Sequence, residues 1–548
     1  MKKLFAALCA VCAVCGLALA ETQIEFSEAG VRAGEGVAVD GTTATISQGG
    51  VFRISGEAGE GRLIVDAGQD VELIWDGARL QSAEGAPLTA RGGGALVITL
   101  PEGGDGLLYD LSGGEAALVA GDVAVRGEGA LTLAGEGDAL RADALSVEGG
   151  SLSLYAGGDA LAVEGELRVS GGLVDAYATG GGATVGADAH LTGGDVRILS
   201  GGDGLRAQGE VRIEGGALNV SAGGDFRETP TVTSDADDYA GEATSSLYDS
   251  FFGYDPFSGY DPFSLFDLFW DMDETGDVRT GATALSGERI CVSGGSVVLA
   301  ADGDGACAQD ALIVEGGALS LRCGGYGLRA DGSVEITGGG VWVDESGVGL
   351  AAGADIAVEG AELSVVSTQY GLYAQGGVRV GEGASVSLDA GADGIAAGGE
   401  ARVSGGEVVI LCSGAPVRAG GGAFIDGGRL VATGLGDGAD DLSEDSAQPA
   451  LTAAFNGALR AGVAVRVEDG RGEAVFSLEP ERRFSWLLVS DPALRAGESY
   501  TLYVEGTAVG AATVEGALNA FLGDDLSQDD EAPSAPSQGE PSDGAQRI

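Results

Sequence analysis

The chain has 548 residues, with 29 Lys and Arg against 84 Asp and Glu, a formal net charge of −55. A field of that sign opposes nucleic acid and anionic membrane surfaces and attracts cations. A single histidine, His190, argues against histidine-based metal centres and serine–histidine catalysis, and 101 glycines without a period of three exclude a collagen helix.

Residues 1–20 read MKKLFAALCAVCAVCGLALA: two lysines, a short apolar run and a small-residue end at Ala18-Leu19-Ala20. This is the pattern of a secretory signal peptide, with the mature chain expected to start near Glu21. The run is too short for a lasting membrane span, and no membrane insertion is expected. None of Cys9, Cys12 and Cys15 has the setting of a lipid-anchor site. Lys2 and Lys3 are the only lysines, so their removal takes the net charge to −57. The expected location is extracellular, secreted or held at the cell surface.

Residues 21–137 are strand-like but irregular, and are expected to form an N-terminal cap and the first coils of a solenoid. From 138 to 445 the chain is periodic. Gly-Gly pairs close short alternating runs at 149–150, 171–172, 193–194 and 215–216, then at 294–295, 316–317 and 338–339. Equivalent positions follow at 360–361, 382–383, 405–406 and 427–428. The step is 22 residues, with a single step of 79 and one of 23. In ALSVEGGSLSLYAGGDALAV, Leu145, Val147, Leu152, Leu154 and Leu161 fall on one side, and Ser146, Ser151, Ser153 and Tyr155 on the other. Alternation of this kind means strands. Two or three short strands per 22 residues, joined by Gly-rich turns, make one coil of an all-β, right-handed parallel β-helix, whose coils stack about 4.8 Å apart.

The long step contains an insertion at 226–282. It carries nine aromatics between Phe251 and Trp270 and a repeated Tyr-Asp-Pro-Phe. Insertions in solenoids map to loops. Two readings stand: a self-packed loop, or an aromatic arm for sugars or a protein partner. Residues 446–522 are expected to form a C-terminal β cap, and 523–548 a disordered acidic tail.

Asp138, Asp159, Asp203, Asp225, Asp304 and Asp393 fall at one turn of successive or near-successive coils, while Tyr326, Val348 and Tyr370 replace the acid elsewhere. Carboxylates one rung apart repel each other, and Ca²⁺ between them would relieve this with hard oxygen ligands. Ordinary turn chemistry, with Asp capping its own turn, is the other reading. Tyr155 and Tyr177 share an outward column on adjacent coils, as a platform for sugar rings or as plain cross-strand packing. Cys291, Cys307, Cys323 and Cys412 are too few for a disulfide scaffold and read as free thiols.

The turns GDALRADALSVEGG, GDGLRAQGEVRIEGG and GYGLRADGSVEITGG, with VFRISGEAGEGRLIVDA (51–67) and SDPALRAGESYTLYVEG (490–506), resemble the secreted bacterial β-helix proteins described as carbohydrate-binding domain-containing proteins. The resemblance covers roughly 21–510. It implies a pectate-lyase-like shape, Ca²⁺ at coil turns, and binding of plant cell-wall polysaccharide, acidic and pectin-like or cellulose, without cleavage. The motif's acid corresponds to Asp138, Asp159, Asp203, Asp304 and Asp393. A polysaccharide lyase is the less favoured reading, since it needs a basic group near the sugar's reacting proton, and only arginines such as Arg141, Arg206 and Arg329 could serve. A surface adhesin or spacer, binding a protein through 226–282, is the alternative.

Overall fold

The computed structural model describes residues 21–114, 116–223, 281–435, 441–524 and 526. The chain divides after Ser200 into two compact units. Both are all-β parallel solenoids, and no described residue is helical.

In the first unit, the coil Ser151–Ala156, Leu161–Val163 and Leu167–Val169 shows how the period works. Each strand pairs in parallel with its counterpart in the next coil: Ser151–Ala156 with Leu173–Ala178, Leu161–Val163 with Ala183–Val185, and Leu167–Val169 with Ala189–Leu191. Leu145, Val147, Leu152, Leu154 and Leu161 are all buried inward, whereas Ser151, Ser153 and Tyr155 face out, half-buried. The inward file continues one coil on as Val174, Ala176 and Ala178. No coil buries these residues alone, so the stack is the stable unit.

The Gly-Gly pair has a steric cause. Gly172 lies at φ +78°, and a β-carbon there would come 2.5 Å from the Gly150 carbonyl oxygen of the coil below. At Gly171 a β-carbon would come 2.6 Å from the Glu148 carbonyl oxygen. Two consecutive positions therefore exclude side chains, one of them for its backbone conformation as well.

At the start of this unit, Thr22–Ser27 folds back antiparallel to Gly30–Ala33, and pairs in parallel with Gly50–Ala58. Val37–Asp40 forms a second antiparallel hairpin with Thr43–Ile46. These hairpins cover the first coil's free backbone edge. Behind them Trp75 is fully buried, its indole N–H donating to the Ala78 carbonyl at 2.9 Å.

In the second unit the stack runs across the insertion. Leu205 pairs with Leu285, Val211 with Ile290, and Leu218 with Val297, all in parallel register. The aromatic-rich part of the insertion lies outside the described residues. The last coil strand, Ala423–Gly434, is met by Phe484–Ser490 running antiparallel, which in turn pairs antiparallel with Ala450–Leu459. A four-stranded antiparallel sheet follows, in the order Ala474–Leu478, Val465–Asp469, Ser499–Val504, Thr507–Thr513. Its core includes Val467, Phe476, Phe484, Leu502 and Phe521, with Phe455 and Phe484 edge to face at 5.7 Å.

Candidate functional site

The acidic turn column is built from the backbone. Asp138 Oδ1 accepts the Asp159 N–H at 2.9 Å, and Asp159 Oδ1 accepts the Gly181 N–H at 2.8 Å. In the second unit Asp304 accepts from Tyr326 N–H at 3.0 Å and Asp393 from Ala415 N–H at 2.8 Å. In each case the acid reaches up one coil and satisfies a turn N–H that no strand ladder uses. The second oxygen has its own partner: Arg141 for Asp138 at 2.6 Å, the Thr184 hydroxyl for Asp159 at 2.8 Å, Arg329 for Asp304 at 3.2 Å and Arg418 for Asp393 at 2.9 Å. The carboxylates avoid mutual repulsion because each turns to the next coil's amide and a cation or hydroxyl.

Asp203 Oδ1 accepts the Thr283 N–H at 2.9 Å, so the coil seated on it begins after the insertion. Asp225 lies outside the described residues.

The donor sets of these turns decide whether they suit calcium. A hard cation needs six to eight oxygens, several of them from carboxylates. Here each of these carboxylates holds a backbone N–H through Oδ1 and, outside the Asp203 turn, faces a cation or a hydroxyl through Oδ2, and the second acid of the Asp304 turn, Asp302, likewise holds the Ala282 N–H. Among the described residues, no group of three or more His, Cys, Asp or Glu is placed to hold a metal ion. The arrangement present does not fit calcium at these turns. It fits a staple between coils.

The staple recurs where the Gly-Asp pattern does not point. Asp302 accepts the Ala282 N–H and Asp355 the Gly377 N–H, both at 2.7 Å. The readable signal at Asp355 was a Gly 22 residues downstream, not a Gly before the acid.

Tyr155 and Tyr177 are brought together. They are register partners on adjacent coils, with ring centroids 6.2 Å apart and planes inclined at 39°. Burial raises the Tyr177 phenol above the ordinary tyrosine value. Beside them Asp175 and Arg197 share the outward face, and Arg197 pairs with Asp195 at 2.9 Å and lies 3.8 Å from Asp175. The column also holds Tyr109, through Ala134, which pairs with Tyr109 below and Tyr155 above. That third tyrosine lies in the irregular early coils, off the 22-residue period.

All four described cysteines are free, and Cys291, Cys323 and Cys412 are buried. Burial pushes the Cys323 and Cys412 thiols up to about 12. Such thiols are structural rather than nucleophilic.

The parallel strand pairing defines an all-β solenoid with outward aromatic and polar columns. The chain belongs to the carbohydrate-binding domain-containing protein family, whose model matches residues 40–248 and 275–438. No curated protein matches. Among solved structures, the polysaccharide lyase-like protein from C. thermocellum, in its gadolinium derivative, is similar at 24% identity and a TM-score of 0.33, over 37% of this chain and 92% of that one.

Proposed function

We propose that this is a secreted, non-catalytic polysaccharide-binding protein that takes plant cell-wall glycan on outward aromatic columns of its solenoid. The observation that carries the proposal is the Tyr155–Tyr177 pair. It offers two phenol rings on successive coils, next to the Asp175, Asp195 and Arg197 side chains. Aromatic rings stack on the apolar faces of sugars, and charged groups beside them receive hydroxyls. Family membership supports the same ligand class.

Charge selects among the expected glycans. A formal charge of −55 opposes a polyuronate, and the turn carboxylates would have to give up their N–H and arginine partners before a cation could bridge. An uncharged chain such as cellulose meets no such barrier.

Two of the three arginines that could abstract a proton are committed to acids, and among the described residues no acid pairs with the third, Arg206. Arg141 is tied to Asp138, and Arg329 to Asp304. A guanidinium held by a carboxylate keeps its proton.

The test compares the intact protein with Tyr155→Ala/Tyr177→Ala on insoluble cellulose. Retention of the parent and loss of most retention in the variant, at unchanged melting temperature, is the expected result. Equal retention of both would remove the tyrosine pair as the binding surface.

A further inference from the structure

The second unit holds another aromatic column, and it lies where the acidic turn is interrupted. Tyr326, Val348 and Tyr370 take the places that Asp304 and Asp393 occupy on either side. The backbone ladder runs through all of them: Gly305 N–H to Tyr326 O, Gly349 N–H to Tyr370 O, and Gly371 N–H to Asp393 O, at 2.9, 2.9 and 3.2 Å. Three residues on in each coil, a second outward file runs beside it: Arg329, Ala351, Tyr373, Ala396 and Arg418, consecutive register partners.

This file is symmetric about Tyr373. Tyr373 is 39% exposed, and its ring lies 5.5 Å from that of Tyr370. The neighbours one rung to each side are small and buried, Ala351 at 5% and Ala396 at 8% exposure. An arginine stands two rungs, about 10 Å, away in each direction. Arg329 lies over the Tyr326 ring at 5.5 Å. Arg418 has an exposed side chain and donates through Nε to Asp393. The result is an aromatic ridge with a shallow notch on either side and a guanidinium beyond each notch.

We infer that the Tyr370–Tyr373 ridge, with Arg329 and Arg418 at its ends, is a second glycan-binding site, taking an uncharged polysaccharide chain laid along the coil stack. The inference rests on the proposed polysaccharide-binding function and adds a site to it. Tyr373 and Tyr370 give the stacking surface. The alanines leave room for ring substituents, and the guanidinium forks donate to hydroxyls. Arg329 and Arg418 are neutralised by Asp304 and Asp393, so the strip carries no net charge of its own and offers nothing to attract a polyanion. The four rungs from Arg329 to Arg418 span about 19 Å, a length that an oligosaccharide of several rings follows.

The probe is cellohexaose, titrated calorimetrically into the full chain, into Tyr370→Ala/Tyr373→Ala and into Tyr155→Ala/Tyr177→Ala, with melting temperature as the folding control. The expected result is two sites in the parent and one in each variant. An Arg418→Gln variant is expected to keep two sites, with one weakened by about tenfold. Parent-like binding by Tyr370→Ala/Tyr373→Ala, with loss only in the Tyr155/Tyr177 variant, overturns this inference and leaves the polysaccharide reading standing. No binding of cellohexaose by the parent overturns both.

Discussion

Asp393 shows at the scale of one residue how this solenoid uses its acids. The residue is 8% exposed, and its carboxylate holds the Ala415 N–H and the Arg418 guanidinium together. Asp393→Ala orphans a buried N–H, and is expected to cost about 1–3 kcal/mol. Asp393→Asn keeps an acceptor and is expected to cost less. Denaturant unfolding of the two variants checks the order, and equal losses would deny the N–H staple its role. The thiols allow a pH test. Burial raises Cys323 and Cys412 from 9.0 to about 12, so the folded chain keeps protons that the unfolded chain releases. Their contribution is intact below pH 9 and is lost as the pH rises from there through about 12. Cys323→Ala/Cys412→Ala is expected to flatten the fall in stability over that window. An unchanged slope would contradict the burial account.

At the scale of the element, the coil was legible in the sequence and the polar contacts of its turn acids were not. The 22-residue period, the strands and the inward set Leu145, Val147, Leu152, Leu154 and Leu161 follow from alternation, because a strand's side chains must take opposite faces. The partners of the turn acids depend on which residue of the next coil sits overhead. That offset is 21 for Asp138, 22 for Asp159 and 80 for Asp203. The period gives 22, as at Asp159, Asp304 and Asp393, but not the shifts at Asp138 and Asp203, and calcium was expected where the backbone already supplies a donor. The Tyr155–Tyr177 pair was legible because both residues keep the same place after their Gly-Gly. Tyr373 was not, since its significance comes from arginines two coils away on each side.

The insertion gives a prediction at this scale. Gly223 and Gly281 both approach one carboxylate: a β-carbon on either would fall 2.1 or 2.3 Å from Asp302 Oδ1. The two ends of the intervening segment therefore meet at one turn. Replacing 226–280 by a few glycines and serines closes a short loop at little entropic cost. The shortened chain is expected to keep its melting temperature and its glycan binding. A large loss of stability would show that the segment packs on the coils, and loss of binding with stability retained would give the sugar contact to the segment.

At the scale of the whole molecule, the chain combines a strongly negative charge with two outward aromatic columns and arginines largely committed to acids. Charge sets what the surface repels, and the aromatic columns are proposed to set what it holds. Family membership and the aromatic columns both support the proposed binding of polysaccharide. The most direct test is co-sedimentation of the chain from residue 21 onward with cellulose and with polygalacturonate, with calcium or with chelator, while the ultraviolet absorbance of unsaturated sugar products is followed. The account predicts retention on cellulose in both conditions, weaker retention on polygalacturonate and flat absorbance. A steady rise in absorbance, or retention on polygalacturonate alone, would contradict it.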